Sequence, residues 1–150
     1  MSPRTITAFA FAALVAACSP QPPAQDTRGY VNPQSPGSSG GPFSGAVLAG
    51  NTLYVSGTLG LGSDRQVPAT AEAEARNVLD NVKGTLADAG MTMDDLVSVQ
   101  VFSSDVADYA AFNEVYRTYF EKEFPARAFV GAGPLLFGAR FEVLGVAVKR

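Results

Sequence analysis

Between Ala71 and Val101 the spacing of apolar residues switches from that of a helix to that of a strand, and this switch limits the fold more than any other feature of the chain. Ala71, Ala75, Val78, Leu79, Val82 and Leu86 recur at steps of three and four, which places them on one face of a helix. Thr70 stands where an N-cap is needed, Glu72 and Glu74 suit the positive end of the helix dipole, and Gly90 provides the stop near Ala89. From Leu96 to Phe102 the period drops to two, with Val97, Val99 and Val101 expected on one face and Ser98 and Gln100 on the other. A one-sided helix followed at once by a one-sided strand calls for a layered α+β domain.

The flanking segments extend that plan. Phe43–Leu48 and Thr52–Ser56 read as a hairpin turning through Ala49-Gly50-Asn51, and Gly57–Pro68 as a glycine-rich loop. Asp105 or Ser104 can cap a second helix reaching about Glu121, whose Tyr109, Phe112, Val115, Tyr116, Tyr119 and Phe120 form an aromatic face. Packing against a sheet is the simplest use of that face. Ala126–Gly131 and Phe141–Val148 read as strands, Pro125 marking the entry to the first. The expected order is ββαβαββ, a mixed sheet with both helices packed on one face, and no repeat is visible at periods of twenty to fifty residues.

The first forty residues read differently. Arg4 precedes an apolar run, Ile6–Ala17, that is shorter than the roughly 20 residues of a membrane span but suits the core of a secretory signal. Val15-Ala16-Ala17-Cys18 resembles a bacterial lipobox, with cleavage before a cysteine that is then acylated. The expectation is a signal peptide over 1–17, lipidation at Cys18, and a flexible Pro/Gly/Ser-rich tether over 18–41 leading to a domain over 42–150. The mature chain is then exported to the periplasmic side and membrane-anchored, with Ser19 favouring the outer membrane. Removing Arg4 leaves 10 basic against 14 acidic residues, a net charge of −4.

Composition narrows the chemistry. The 150 residues are 47% hydrophobic and 17% charged, enough for one packed core. The acidic balance and the lack of any Lys/Arg cluster argue against nucleic acid as a partner. There is no histidine and a single cysteine, which removes histidine-dependent triads, cysteine zinc sites and an internal disulfide. Catalysis must use carboxylates, Arg or Lys, hydroxyls, backbone groups and water.

Two charged residues sit inside apolar β-segments: Arg127 at the start of one, and Glu142 in Phe141-Glu142-Val143-Leu144. A structural ion pair, or a Glu142 turned to solvent on an edge strand, explains them as well as a ligand site does. In a site, Arg127 would clamp a small carboxylate and Glu142 would handle a water.

Gly41-Pro42-Phe43-Ser44-Gly45-Ala46-Val47, Asn51–Gly57, Asn77–Lys83, Val101-Phe102, Phe112–Tyr116, Phe124-Pro125-Ala126-Arg127 and Phe141-Glu142-Val143 occur in the order in which the RidA/YjgF reactive-intermediate deaminases carry similar motifs. From Pro42 to Arg150 the chain resembles that family. The resemblance implies a chorismate-mutase-like YjgF fold, a homotrimer with ligand clefts between subunits, and hydrolysis of 2-imino acids to 2-oxo acids and ammonia without metal or organic cofactor. It implies that Arg127 holds the substrate carboxylate, Glu142 positions the attacking water, and Gly57, just after the second strand, lines the cleft. Phe43, Phe129, Asn113 and Ser56 fall at further binding positions, with Asn113 and Ser56 equally suited to local structural roles. Phe43 replaces a frequent tyrosine, Phe129 a frequent cysteine, and Leu144 a frequent acid, so the substrate preference is the open part of the resemblance.

A non-catalytic periplasmic small-ligand-binding protein is the alternative, motivated by export away from the cytoplasmic sources of imines. An endoribonuclease, a name also attached to the family, fits poorly with an acidic chain that has no histidine.

Overall fold

The computed structural model describes residues 27–32 and 41–150. The expected signal peptide over 1–17 and the expected lipidation site at Cys18 lie outside the described residues. Within them run six strands, β1 Gly29–Val31, β2 Ala46–Ala49, β3 Thr52–Leu59, β4 Leu96–Ser103, β5 Ala126–Gly131 and β6 Phe141–Val148, and two α-helices, α1 Ala71–Asp88 and α2 Tyr109–Tyr116. The sheet order is β1-β2-β3-β6-β4-β5, with all neighbours antiparallel except β4 and β5, which α2 connects in parallel. The mixed α+β architecture is as expected, with one strand more. β1 belongs to a segment read as tether: Tyr30 pairs with Val47, so the sheet includes residues that precede Pro42.

The α1 boundaries follow local chemistry. Thr70 Oγ1 accepts the Ala73 N–H at 3.2 Å, capping the N-terminus. At the other end Gly90 takes φ +70°, and the N–H groups of Gly90 and Met91 close back on Ala87 and Leu86 at 2.9 Å each. This is a Schellman stop, which needs a residue free of a Cβ at the left-handed position. Ala75, Val78, Leu79, Val82 and Leu86 are buried against β3 and β6, joined from α2 by Phe112, Val115 and Tyr116.

Three expectations need correction. The sheet continues through Gly57 to Leu59, because β3 carries one extra residue between Val55 and Thr58 and resumes pairing with β6 beyond it. Val97 does not share the face of Val99 and Val101: a second bulge between Leu96 and Ser98 returns Leu96 to the core and turns Val97 out, 48% exposed. The second helix is shorter than expected. Asp105 caps a 3₁₀ turn over Val106–Asp108, accepting the Ala107 N–H at 2.8 Å, and the α-helix ends at Tyr116 before a further 3₁₀ turn, Arg117–Tyr119.

Glu74 has a role beyond the helix dipole. It is fully buried, and its Oε1 accepts the backbone N–H groups of Arg140 and Phe141 at 2.6 and 3.0 Å while Oε2 takes the Arg140 guanidinium at 3.0 Å. Every buried carboxylate needs such compensation. The contact pins the first residues of β6 to α1.

The sheet face away from the helices is apolar and largely open. Leu144, Val146 and Val148 of β6 lie there half-buried, beside Tyr54 (54% exposed) and Val130 (43% exposed). That explains why β6 reads as an unbroken apolar run: both of its faces are hydrophobic. Among the described residues no helix is long and apolar enough to cross a membrane.

Candidate active site

Strand register places Arg127 and Glu142 on opposite faces of the sheet. Arg127 pairs with Val99, which pairs with Gly145. Glu142 lies three residues before Gly145, an odd step, and pairs with Phe102 and Leu59. Arg127 therefore points to the helix side and Glu142 to the open side. One chain does not bring them together, and no ion pair joins them.

The Arg127 half is built on α2 and β5. Its Nη2 donates to Asn113 Oδ1 at 2.6 Å, and Asn113 is itself only 8% exposed. The guanidinium lies 4.4 Å from the Tyr116 ring centroid and 5.9 Å from those of Tyr109 and Phe112. Nη1 and the Tyr116 hydroxyl are buried without a hydrogen-bond partner among the described residues. Burial pushes the Tyr116 phenol up to about 12, against the lowering influence of Arg127, so the ring stays neutral beside the cation. Arg127 borders a cavity of about 250 Å³ shared with Tyr109, Asn113, Tyr116, Arg117 and Phe124. Phe129, expected at the site, instead packs edge-on against Tyr109 and Phe112, with centroids at 5.1 and 5.7 Å, and lines neither this cavity nor the next.

The Glu142 half lies on the other face, in a cavity of about 720 Å³ that also contains Phe43, Ser56, Gly57, Leu59, Arg65, Leu136 and Phe137. Ser56 Oγ donates to the Ser44 carbonyl at 2.6 Å, tying the approach to β2 onto β3. Gly57 is within β3 at the bulge, not after the strand, and a Cβ there would overlap Glu142 Oε1. Phe43 is 59% exposed at the rim.

The sequence reading gathered these residues into one site, which the structure divides, with Phe43, Ser56, Gly57 and Glu142 in one half and Asn113 with Arg127 in the other. It missed Tyr116 as a support for Arg127, since an aromatic stripe reads as core, and Tyr116 is core as well. Arg65, Leu136 and Phe137 were also missed, because no periodicity marks loop residues that meet only through folding.

An arginine held between aromatic rings on one sheet face, and a carboxylate in an apolar cavity on the other, define an α+β protein equipped to take a small anionic ligand and to move a proton without histidine. The chain belongs to the RidA/YjgF family: the family model described as Endoribonuclease L-PSP matches residues 33–149. It is 39% identical over 111 residues to a 2-iminobutanoate/2-iminopropanoate deaminase from Capra hircus, covering 73% of this chain and 81% of that protein. The deaminase of the same name from Mus musculus is 37% identical over 111 residues, covering 73% and 82%. Among solved structures, the yjgF gene product of E. coli superimposes with a TM-score of 0.70 at 35% identity, covering 73% of this chain and 90% of that one. E. coli TdcF with bound serine gives a TM-score of 0.70 at 30% identity, with the same coverage.

Proposed function

We propose that this chain hydrolyses 2-imino acids to 2-oxo acids and ammonia, at sites that take Arg127 from one copy and Glu142 from the next in a homotrimer. The observation that carries this reading is the state of Arg127. Asn113 fixes one guanidinium nitrogen, while the other is buried with no acceptor among the described residues. An orphaned buried N–H of this kind costs free energy that a ligand carboxylate would recover. The separation of the two charged residues in one chain, and the open apolar sheet face, support a site assembled from neighbouring copies.

In the proposed mechanism Arg127 holds the substrate carboxylate and sets the orientation of the C=N bond. The iminium nitrogen is already protonated, so the carbon is electrophilic. Glu142 takes a proton from water as its oxygen bonds to that carbon and the C=N pair moves to nitrogen. The carboxyl group then protonates the amine of the carbinolamine. As the C–N bond breaks, the hydroxyl oxygen forms the C=O bond and returns its proton to Glu142, which passes it to the departing ammonia. Water and iminium become 2-oxo acid and ammonium, with neither metal nor organic cofactor required. A positioned base contributes about 10²–10⁴-fold in such a step.

Mixing tests both parts. Arg127→Ala and Glu142→Gln chains are each expected to be inactive on an imino acid generated in situ. Refolded together at equal amounts, they regain roughly a quarter of the intact sites if those sites lie between copies of a closed ring. No recovery in verified mixed trimers rejects the two-copy site, full activity of Arg127→Ala rejects Arg127 as the carboxylate clamp, and a wild type that turns over no imino acid rejects the deaminase assignment.

The proposal extends to location: a chain exported to the periplasmic side, acylated at Cys18 and held at the outer membrane. Palmitate incorporation lost in Cys18→Ser supports it, and an unlabelled wild type rejects it.

A further inference from the structure

The Glu142 cavity has an apolar wall that imine hydrolysis itself does not use. Two of the three non-glycine residues with positive φ among the described residues, Arg65 at 63° and Phe137 at 60°, belong to it. They come from separate loops and meet with the Arg65 Cζ over the Phe137 ring, 5.7 Å from its centroid. A bulky residue in the left-handed region costs about 1–3 kcal/mol and persists where function or packing demands that aim. Packing within the chain does not demand it, since Phe137 is 64% exposed and Leu136 beside it 70%. Both side chains border the same concavity as Phe43, Leu59 and Glu142.

Strained backbone, large exposed apolar side chains and a general-base candidate thus converge on one hollow. Its size, about 720 Å³, leaves ample space beyond a carboxylate and an imine carbon. About 150 Å³ suffices to hold a benzene ring in a protein. A ligand with a short aliphatic substituent would leave these side chains wet, whereas an aromatic or long aliphatic one would remove them and itself from water. Arg65, itself on the cavity wall, lies over the Phe137 ring as a cation–π neighbour.

Resting on the deaminase reading above, we propose that Phe43, Leu59, Leu136 and Phe137 form the substituent subsite of the reaction and select 2-imino acids with large apolar side chains, aromatic ones foremost, over those with one- or two-carbon side chains. The experiment compares imino acids released in situ by an amino-acid oxidase from phenylalanine, leucine and alanine. The wild type is expected to show kcat/KM at least about tenfold higher for the phenylalanine-derived imine than for the alanine-derived one. Phe137→Ala, and separately Leu136→Ala, should reduce that ratio by about tenfold, the scale on which apolar pockets discriminate. A wild-type preference for the alanine-derived imine, or a ratio unmoved by both variants, overturns the subsite while leaving deamination intact. If no imine is turned over, the deaminase reading fails by itself, and calorimetry with phenylpyruvate and pyruvate judges the subsite. Tighter phenylpyruvate binding that Phe137→Ala weakens upholds it, and equal binding of the two acids overturns it.

Discussion

The Glu142 carboxylate occupies the space that a Cβ on Gly57 would fill. The β3 bulge sets this closeness, since the extra residue between Val55 and Thr58 shifts Gly57 against the side chain of its neighbouring strand. Gly57→Ala would push the flexible end of Glu142 aside without touching the core. Activity on imino acids is expected to fall about 10²-fold, most of what a positioned base provides. Unfolding should move by less than about 1 kcal/mol. Steady-state kinetics and urea denaturation of the same preparation check the two halves of this expectation.

Asn113→Ala removes the acceptor 2.6 Å from Arg127 Nη2 and leaves a second guanidinium nitrogen unpaired. The cation keeps its stacking on Tyr116 but loses its fixed direction. KM for an imino acid should rise about tenfold, with a smaller change in kcat, because the carboxylate is held in both ground and transition states. An unchanged KM would show that Asn113 does not orient the clamp.

Glu74→Ala should destabilise the fold by about 3–5 kcal/mol, as removal of one member of a buried pair does. It also strips two backbone N–H groups of their acceptor where β6 begins. Glu74→Gln keeps an amide oxygen for those groups and should cost less, about 1–2 kcal/mol. Denaturant midpoints of the three proteins give the comparison.

Alkaline pH offers a fourth test. Burial raises the Tyr116 phenol to about 12, and burial together with a hydrogen bond to Asp80 raises Tyr119 to about 12, against 10.0 for an ordinary tyrosine. Between those values the unfolded chain has lost phenolic protons that the folded chain retains. The stabilising contribution is therefore complete below about pH 10 and disappears as pH rises towards 12. Tyr116→Phe should make the fall in stability over that interval shallower, measured as denaturant midpoint against pH.

The legible part of this protein is what depends on neighbours in sequence. The α1 face, its Thr70 cap and Gly90 stop, and strands β5 and β6 to the residue follow from period, capping and breakers, because those signals act over one or two turns of chain. Recognition of Arg127 and Glu142 as misplaced charges was equally local. Where the bulges fall was not legible: one extra residue at Gly57 or Val97 changes which face a side chain meets, and only pairing with β6 reveals it. The partner of Glu74 lies 66 residues away, and the Arg65–Phe137 contact joins two loops. The sequence by itself determined which residues are charged, apolar or permissive of a turn. Tertiary structure alone decided that Arg127 and Glu142 face opposite sides of one sheet, because strand register counts residues across neighbours that the chain visits far apart.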